Sequence, residues 1–357
     1  MNEPDNQNKC TTPQPLDVAR EPRGDSPKIR MRLPKVRFSM RTLFILMTLL
    51  CVLLVPLSVK LYQARQQRLA VEWVLANRGK VHYDQSDEVV KVFLNDTKIT
   101  DAGLEHLEAL NSLTFLNLGD TQVTDAGLEH LKDLTSLNTL YLDNTQITDA
   151  GLKHLKGLTK LKTLKLDNTQ ITDSGLEHLK GMTSLTILIL RGTQLTDAGL
   201  EHLEEFTRLG QLNLSGTPVT DAGLEHLKGL TSLTVLDLNG TQVTDAGLEH
   251  LKGLTSLNVL DLQDTQITSK GLMYLKGLTS LGSLCLNGTQ VTDTGLEHLK
   301  GMTLWSFFLN DTQITDAGLE HLNGLTNLKV LKLNNTQITD AGLSKLRAAI
   351  PFFVIAK

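Results

Sequence analysis

The sequence contains few cysteines, and their positions exclude a disulfide framework in most of the chain. Of its 357 residues only Cys10, Cys51 and Cys285 are cysteines. Cys10 lies in a polar N-terminal stretch, Cys51 in a long apolar run, and Cys285 alone in the remaining, repetitive part. Because a disulfide needs two partners within reach, the repetitive part is expected to fold without one.

The repetitive part also lacks an excess of positive charge. From Tyr83 to Lys357 there are 21 basic and 33 acidic residues, which gives a net charge of −12. Proteins that bind nucleic acid neutralise phosphates with lysine and arginine. The acidic balance of this region therefore argues against a nucleic-acid partner.

From about Val89 onward, one sequence motif is repeated eleven times with small changes. LTSLNVLDLQDTQITSKGLMYLKG is one of its mildly divergent copies. The period is 24 residues, apart from one interval of 23 between Thr289 and Thr312. A period of this length with regularly spaced leucines is typical of a solenoid. One threonine recurs at the same position of every copy: Thr97, Thr121, Thr145, Thr169, Thr193, Thr217, Thr241, Thr265, Thr289, Thr312 and Thr336.

Each copy predicts a strand, a turn, a short helix and a second turn. The residues before Thr121 alternate as a strand does, and those after it recur at helical spacing. Thr124 and Asp125 predict a helix N-cap, and glycines such as Gly157 and Gly181 predict left-handed helix ends. The expected core positions of this copy are Leu113, Leu116, Leu118, Val123, Leu128, Leu131 and Leu134.

The spacing Leu-x-x-Leu-x-Leu-x-x-Thr-x-Ile/Val resembles the leucine-rich-repeat superfamily over about three quarters of the chain. The phrase TDAGLEHL is similar to the subclass with helices on the convex side, which includes the cysteine-containing repeats of F-box proteins and bacterial GALA-type repeats. That resemblance implies an α/β solenoid with a curved parallel sheet on the concave side. Threonine stands where the family has cysteine or asparagine, and its hydroxyl is expected to bond backbone carbonyls in the loop after the strand.

The N-terminal part contains one apolar run long enough to cross a membrane. Residues Leu43–Val59 carry no charge and lie between Arg41 and Lys60. Seventeen helical residues span about 25 Å, so flanking residues would complete the crossing. A buried helix of a soluble domain and a cleaved signal peptide are the alternatives, but no small-x-small cleavage site follows the run. An uncleaved signal anchor is the favoured interpretation.

The distribution of positive charge predicts the topology and the domain boundaries. Basic residues before the apolar run outnumber those just after it, so the N-terminus is expected inside and the repeats outside the cytoplasm. A solenoid also needs caps over both ends of its core. The predicted segments are a disordered tail at 1–40, a membrane anchor at 41–61, an N-terminal cap at 62–88, eleven repeats at 89–342 and a C-terminal cap at 343–357.

Neither catalysis nor metal binding is expected from the polar residues of the repeats. Serine, histidine and aspartate recur at fixed repeat positions, whereas an enzyme brings different groups together at one pocket. A metal site needs several ligands that converge to about 2.0 to 2.1 Å from the ion, whereas packed helices run about 8 to 10 Å apart and no cysteine or second histidine shares a helix face with each repeated histidine. No cofactor is predicted, and the repeated histidines are expected to be solvated: His106, His130, His154, His178, His202, His226, His250, His298 and His321.

The strand positions that vary between copies are the candidate binding residues. Residues four and six places before each threonine point away from the core, and in this fold they would line the concave sheet. One predicted patch joins aromatic, aliphatic and cationic groups, with Ile187 and Ile189 expected to be exposed: Tyr141, Lys165, Ile187, Ile189 and Arg191. A second, acidic patch comprises Val235, Asp237, Val259 and Asp261.

Together these features predict a non-catalytic, membrane-anchored bacterial repeat protein that binds a protein or peptide on its concave sheet. Two other functions stay open at this point. One is an F-box-like adaptor that recognises substrates of a ubiquitin ligase, and the membrane anchor argues against it. The other is a structural surface spacer, and the exposed variable patch argues against it.

Overall fold

The computed structural model describes residues 39–350 and 354–356, which divide into two units, the first ending at Leu57 and the second beginning at Ser58. Residues 1–38 of the predicted tail, with Cys10, and the predicted cap residues Phe352 and Phe353 lie outside the described residues. Helix α1, Met40–Ala76, begins in the first unit and ends in the second. Its most apolar window has a mean hydropathy of 2.6 and no buried residue, so by length and composition it could cross a membrane.

The second unit contains a sheet of thirteen strands that follow one another in chain order. β1 pairs antiparallel with β2, and every later pair is parallel. This sheet and its helices confirm the predicted leucine-rich-repeat solenoid. The strands are β1 Lys80–Tyr83, β2 Val89–Phe93, β3 Phe115–Asn117, β4 Thr139–Tyr141, β5 Thr163–Lys165, β6 Ile187–Ile189, β7 Gln211–Asn213, β8 Val235–Asp237, β9 Val259–Asp261, β10 Ser283–Cys285, β11 Ser306–Phe308, β12 Val330–Lys332 and β13 Val354–Ala356.

The returning segments of the repeats form short helices, part α-helical and part 3₁₀-helical. The α-helices are α2 Asp125–Leu128, α3 Asp149–Leu152, α4 Asp173–Glu177, α5 Asp197–Leu200, α6 Asp221–Leu224, α7 Asp245–Leu251, α8 Asp293–Leu296, α9 Asp316–Leu322 and α10 Asp340–Ala349. The 3₁₀-helices span Asp101–Leu107, Glu129–Leu131, Lys153–Leu155, Glu201–Leu203, Glu225–Leu227, Gly271–Gly277 and Glu297–Leu299. Such tight turns keep each helix short, so that one repeat closes within 24 residues.

The leucines of successive repeats stack into one continuous core. All seven core positions predicted for the copy around Thr121 are fully buried, and the equivalent residues of the other copies join the same cluster. A residue on the sheet side and one on the helix side, such as Leu116 and Leu128, therefore meet in the interior. Stacked repeats supply the apolar contacts that a single repeat lacks.

The turn after each strand depends on two adjacent residues. The ladder threonine donates its hydroxyl hydrogen to the carbonyl three residues earlier, as from Thr217 Oγ1 to Leu214 O at 2.6 Å. The residue before it adopts a left-handed backbone in every copy and is Asp, Asn or Gly, for example Asn144 (φ 54°) and Gly216 (φ 66°). These residue types tolerate that conformation best. The helix-end prediction was wrong for Gly157, whose φ is not positive, and right for Gly181.

Hydrogen bonds also connect the helix starts of neighbouring repeats. Asp125 was predicted to act with Thr124 as a local N-cap, but its carboxylate accepts hydrogen bonds from the backbone and hydroxyl of Thr148 in the next repeat, at 2.8 and 2.6 Å. Thr148 in turn accepts a hydrogen bond from Ala150 N at 3.3 Å, as an N-cap does. The Thr-Asp pair therefore links repeats as well as starting a helix.

Elements outside the repeats cover both ends of the core in the second unit. At the front, Ala70 and Val74 of α1 are buried, and Trp73 packs against the first repeat beside Gly103. β1 extends the sheet by its antiparallel pairing with β2. At the back, β13 follows α10, the helix of the last repeat, and pairs with β12. The predicted domain boundaries stay predictions: Ala70, Val74, β1 and β13 lie within the predicted caps, whereas α1 begins before the first cap and α10 before the second.

Candidate binding surface

The predicted binding residues lie on consecutive strands and face away from the leucine core. Tyr141 ends β4, Lys165 ends β5, Ile187 and Ile189 begin and end β6, and Arg191 follows it by two residues. Between them in the sequence stand buried leucines such as Leu140 and Leu188. Alternation along a strand therefore places the predicted residues on the opposite, concave face.

A groove of about 490 Å³ runs across this face between β3 and β7. It brings together four of the five residues of the first predicted patch, Tyr141, Lys165, Ile187 and Ile189. Arg191 is exposed and does not line the groove. Five further lining residues stand at the variable strand positions predicted to line the concave sheet but were not included in the patch: Phe115, Thr139, Thr163, Gln211 and Asn213. Sequence reasoning missed Asp167, which lies two places before its threonine.

The expectation that Ile189 is exposed was wrong. Its side chain retains only 6% of its accessible surface, while Ile187 is half-buried. Ile189 ends the strand between β5 and β7, where the strand pairing sets it between Lys165 and Asn213, and side chains on neighbouring strands cover one another. Ile187, and not Ile189, therefore offers the aliphatic contact surface of this patch.

Aromatic rings form a continuous row along the first strands of the concave face. The ring centroids of Phe93 and Phe115 are 4.8 Å apart, and those of Phe115 and Tyr141 are 5.2 Å apart in an edge-to-face arrangement. Lys165 Nζ lies 4.4 Å from the centre of the Tyr141 ring, a cation–π distance. Phe93 lies four places and Phe115 six places before the threonine of its repeat. A comparison of equivalent repeat positions therefore did not predict that the two rings are in contact.

The second predicted patch, on β8 and β9, is held together by paired strands. Val235 lies beside Val259 and Asp237 beside Asp261, and all four side chains are half-buried. Asn213 Nδ2 donates a hydrogen bond to Asp237 Oδ2 at 2.7 Å. Burial, and next the repulsion by Asp261, raise the pKa of Asp237 against the opposing effect of its hydrogen bonds. The patch thus holds two close carboxylates in a partly desolvated place.

Two further concave groups have altered acidity. Burial is the main cause that raises the pKa of Asp167, and the charge of Asp143 adds to it. Burial likewise raises the pKa of the Cys285 thiol to about 12. Because the thiolate is the reactive form, Cys285 has the properties of a packed structural residue.

The repeated histidines are less solvated than the sequence suggested. Most of them are half-buried between neighbouring helices, and His298 is exposed. His130 Nδ1 lies 2.6 Å from Glu108 Oε1, and His226 Nδ1 lies 2.7 Å from Glu204 Oε1. Both partners come from the preceding repeat, where glutamate replaces the lysine or asparagine of other copies. The histidine row therefore belongs to the contacts between repeats.

Comparison with known protein families identifies the repeats. Three family models match, described as leucine-rich repeat (135–195), two copies of the leucine-rich repeat (111–154) and leucine-rich repeat (229–252, 253–276 and 324–346). The chain belongs to the leucine-rich-repeat superfamily. Proteins of this superfamily are typically protein-binding scaffolds. A search of curated proteins found no match.

Solved structures support the same assignment of this leucine-rich-repeat protein. An internalin, InlF, from Listeria monocytogenes is 25% identical, with a TM-score of 0.57, over 81% of this chain and 94% of its own. A leucine-rich-repeat protein of Leptospira interrogans is 19% identical, with a TM-score of 0.50, over 71% and 74%. The ectodomain of the Arabidopsis receptor kinase HAESA, solved with an extended IDA peptide hormone, is 20% identical, with a TM-score of 0.56, over 77% and 50%. The last two show the fold alone.

Proposed function

We propose that this chain is a membrane-anchored, non-catalytic scaffold whose repeats stand outside the cytoplasm and bind a protein or peptide on the concave face. The observation that carries this proposal is the groove of about 490 Å³, lined by aromatic, aliphatic and cationic side chains. Such a mixture is enriched at the centres of interfaces. The same fold holds a peptide hormone in the HAESA ectodomain, which is support by analogy.

Membrane anchoring is supported by α1 and by the charges around it. The apolar window of α1 meets the length and hydropathy of a membrane span. The basic residues that precede it favour an N-terminus inside the cytoplasm: Lys28, Arg30, Arg32, Lys35, Arg37 and Arg41. A reporter that works only outside the cytoplasm, fused after Lys357, should be active. Activity of an intracellular reporter at that position would contradict the topology.

The binding surface is tested with substitutions that leave the core intact. A partner recovered by pull-down with the full-length chain should bind Tyr141→Ala and Ile187→Ala more weakly by about 2 kcal/mol each, the size of an interface hot spot. Ile189 is unsuitable for this test, because its burial would make the substitution a change of stability. Circular dichroism of each variant checks that the fold is retained.

The matched control lies on the opposite face of the same repeats. Replacing His154, His178 and His202 together by glutamine changes three half-buried helix residues without touching the groove. Affinity for the partner should remain unchanged. If the concave variants bind normally and the histidine variant does not, the ligand contacts the helices and the proposed surface is wrong.

A further inference from the structure

A second groove lies at the N-terminal end of the concave sheet and has a different chemistry. It has a volume of about 410 Å³ and is lined by Arg78, Lys80, His82, Phe93 and Asn95. No carboxylate is among these lining residues. Arg78 and Lys80 are exposed, and neither forms an ion pair with another residue of the described part of the chain. The groove therefore presents two unneutralised cations beside an aromatic ring.

The row of rings connects this basic groove with the larger groove on β3 to β7. Phe93 lines the basic groove and Phe115 lines the larger one, and their ring centroids are 4.8 Å apart. Antiparallel pairing of β1 with β2 sets Lys80 opposite Phe93 and His82 opposite Lys91. Opposite residues of an antiparallel pair share one face of the sheet, so cations flank the rings on the concave side.

The basic groove stands out against the charge of the domain that carries it. The unit from Ser58 to Lys357 has 26 basic and 34 acidic residues, a net charge of −8, and its concave face carries the carboxylates of Asp167, Asp237 and Asp261. A long polyanion such as a nucleic acid would meet this negative surface along most of its length. A short segment with a few carboxylates at one end can place them at the basic groove, away from Asp167 in the larger groove and from the carboxylates on β8 and β9.

We infer that the concave face from β1 to β7 binds an extended peptide segment with aspartate or glutamate side chains at the basic groove and a large apolar side chain in the groove beside Tyr141 and Ile187. This inference rests on the proposed function and adds the chemistry of the ligand. The groove centres are about 3.5 strand spacings apart, or about 17 Å. That distance corresponds to about five extended residues between the acidic and the apolar side chains.

The test is selection from a phage-displayed library of random peptides of about twelve residues, long enough to span both grooves. The full-length chain in detergent micelles serves as target, and empty micelles serve as background. The selected peptides should be enriched in aspartate or glutamate, with a large apolar residue about five positions away. One enriched peptide, made synthetically, then serves as the probe for affinity measurements by fluorescence anisotropy.

Charge substitutions at the basic groove separate this inference from the proposed function. Lys80→Glu combined with Arg78→Asn should lower the affinity of the chain for the probe by about tenfold or more. Asparagine suits position 78 because it tolerates the left-handed backbone there (φ 63°). Lys276→Glu, an exposed lysine far along the helical side, should change affinity less than about twofold. Thermal melts of all variants establish that they are folded.

Each other outcome overturns the inference in a distinct way. If the enriched peptides lack acidic residues, or if the charge variants leave the probe's affinity unchanged while Tyr141→Ala reduces it, the ligand chemistry is wrong and concave binding stands. Absence of any enrichment over empty micelles also overturns it, and the pull-down then decides the proposed function separately. Binding of an oligothymidine that depends on Lys80 and Arg78 would replace the peptide by a nucleic acid.

Discussion

The carboxylate of Asp197 accepts two hydrogen bonds from Thr220 of the next repeat, one from the backbone N at 2.7 Å and one from the hydroxyl at 2.6 Å. A side chain at Gly223 would place its Cβ 2.5 Å from Asp197 Oδ1, so the helices approach this closely only with glycine there. Equivalent Asp–Thr contacts recur from Asp101 to Thr339. The sequence Thr-Asp-x-Gly is therefore a connector between repeats.

Removing this carboxylate should destabilise the solenoid. Asp197→Ala leaves two donors of Thr220 without their acceptor, and we expect a loss of about 2 kcal/mol in the free energy of unfolding, measured by urea denaturation. Asp197→Ser should lose less, because the natural Ser269 occupies the same position and its hydroxyl accepts a hydrogen bond from Thr292 N at 3.0 Å. Equal stability of the alanine variant and the unchanged chain would contradict the connector role.

Thr217 should stabilise the turn after β7 by its hydroxyl. Thr217→Val preserves the side-chain volume but removes the buried hydroxyl that donates to Leu214 O at 2.6 Å, and this carbonyl then keeps only the longer hydrogen bond from the backbone N of residue 217, at 3.2 Å. We expect a loss of about 1 to 3 kcal/mol in urea denaturation. His250→Gln is the control and should stay within about 0.5 kcal/mol. His226 is not a neutral control, because it contacts Glu204. Equal effects of the two substitutions would show that the hydroxyl is not needed.

The sequence predicted the regular features and missed those that depend on two repeats at once. The positions of Leu116, Thr121 and Leu128 follow from periodicity, since every copy buries the same face. The hydrogen-bond partner of Asp125 cannot be predicted from periodicity, because it lies 23 residues later in the chain. A local N-cap would account equally well for the adjacent residues Thr124 and Asp125. Burial of Ile189 depends on Lys165 and Asn213, which flank it on the neighbouring strands. The ring row of Phe93, Phe115 and Tyr141 requires the distances between neighbouring strands.

Asp167 should make stability depend on pH. Its folded-state pKa is raised above the ordinary value of 3.8, mainly by burial. Stabilisation by the neutral form is therefore complete below 3.8 and is lost as pH rises through the folded-state pKa. Asp167→Asn, which stays neutral, should be more stable relative to the unchanged chain at pH 7 than at pH 3.8. A difference in unfolding free energy that is constant with pH would contradict this assignment.

The neighbours of Asp167 allow a direct check by NMR titration of its carboxyl group. Asp143 raises the pKa of Asp167 by charge repulsion, so Asp143→Asn should lower it. Arg191 lowers that pKa, so Arg191→Gln should raise it. Opposite shifts in the two variants would verify the electrostatic coupling on the concave face. Shifts of the same sign would mean that the substitutions act through a change in packing.

Trp73 should determine how well the first repeat is protected. Its ring occupies the space beside Gly103 where a Cβ would otherwise lie, at the place where later repeats receive an aspartate from the preceding copy. Trp73→Ala should therefore uncover the front of the core, with a loss approaching about 3 kcal/mol. In a solenoid such a loss acts on near neighbours first. Amide hydrogen exchange should accelerate in β2 and β3 and remain slow in β9 and β10.

The control for this prediction is Leu75→Ala, at an exposed position of the same helix, which should leave all four strands protected. Uniform acceleration in the Trp73 variant would indicate that the repeats unfold as one unit, and no acceleration would show that the ring does not act as a cap.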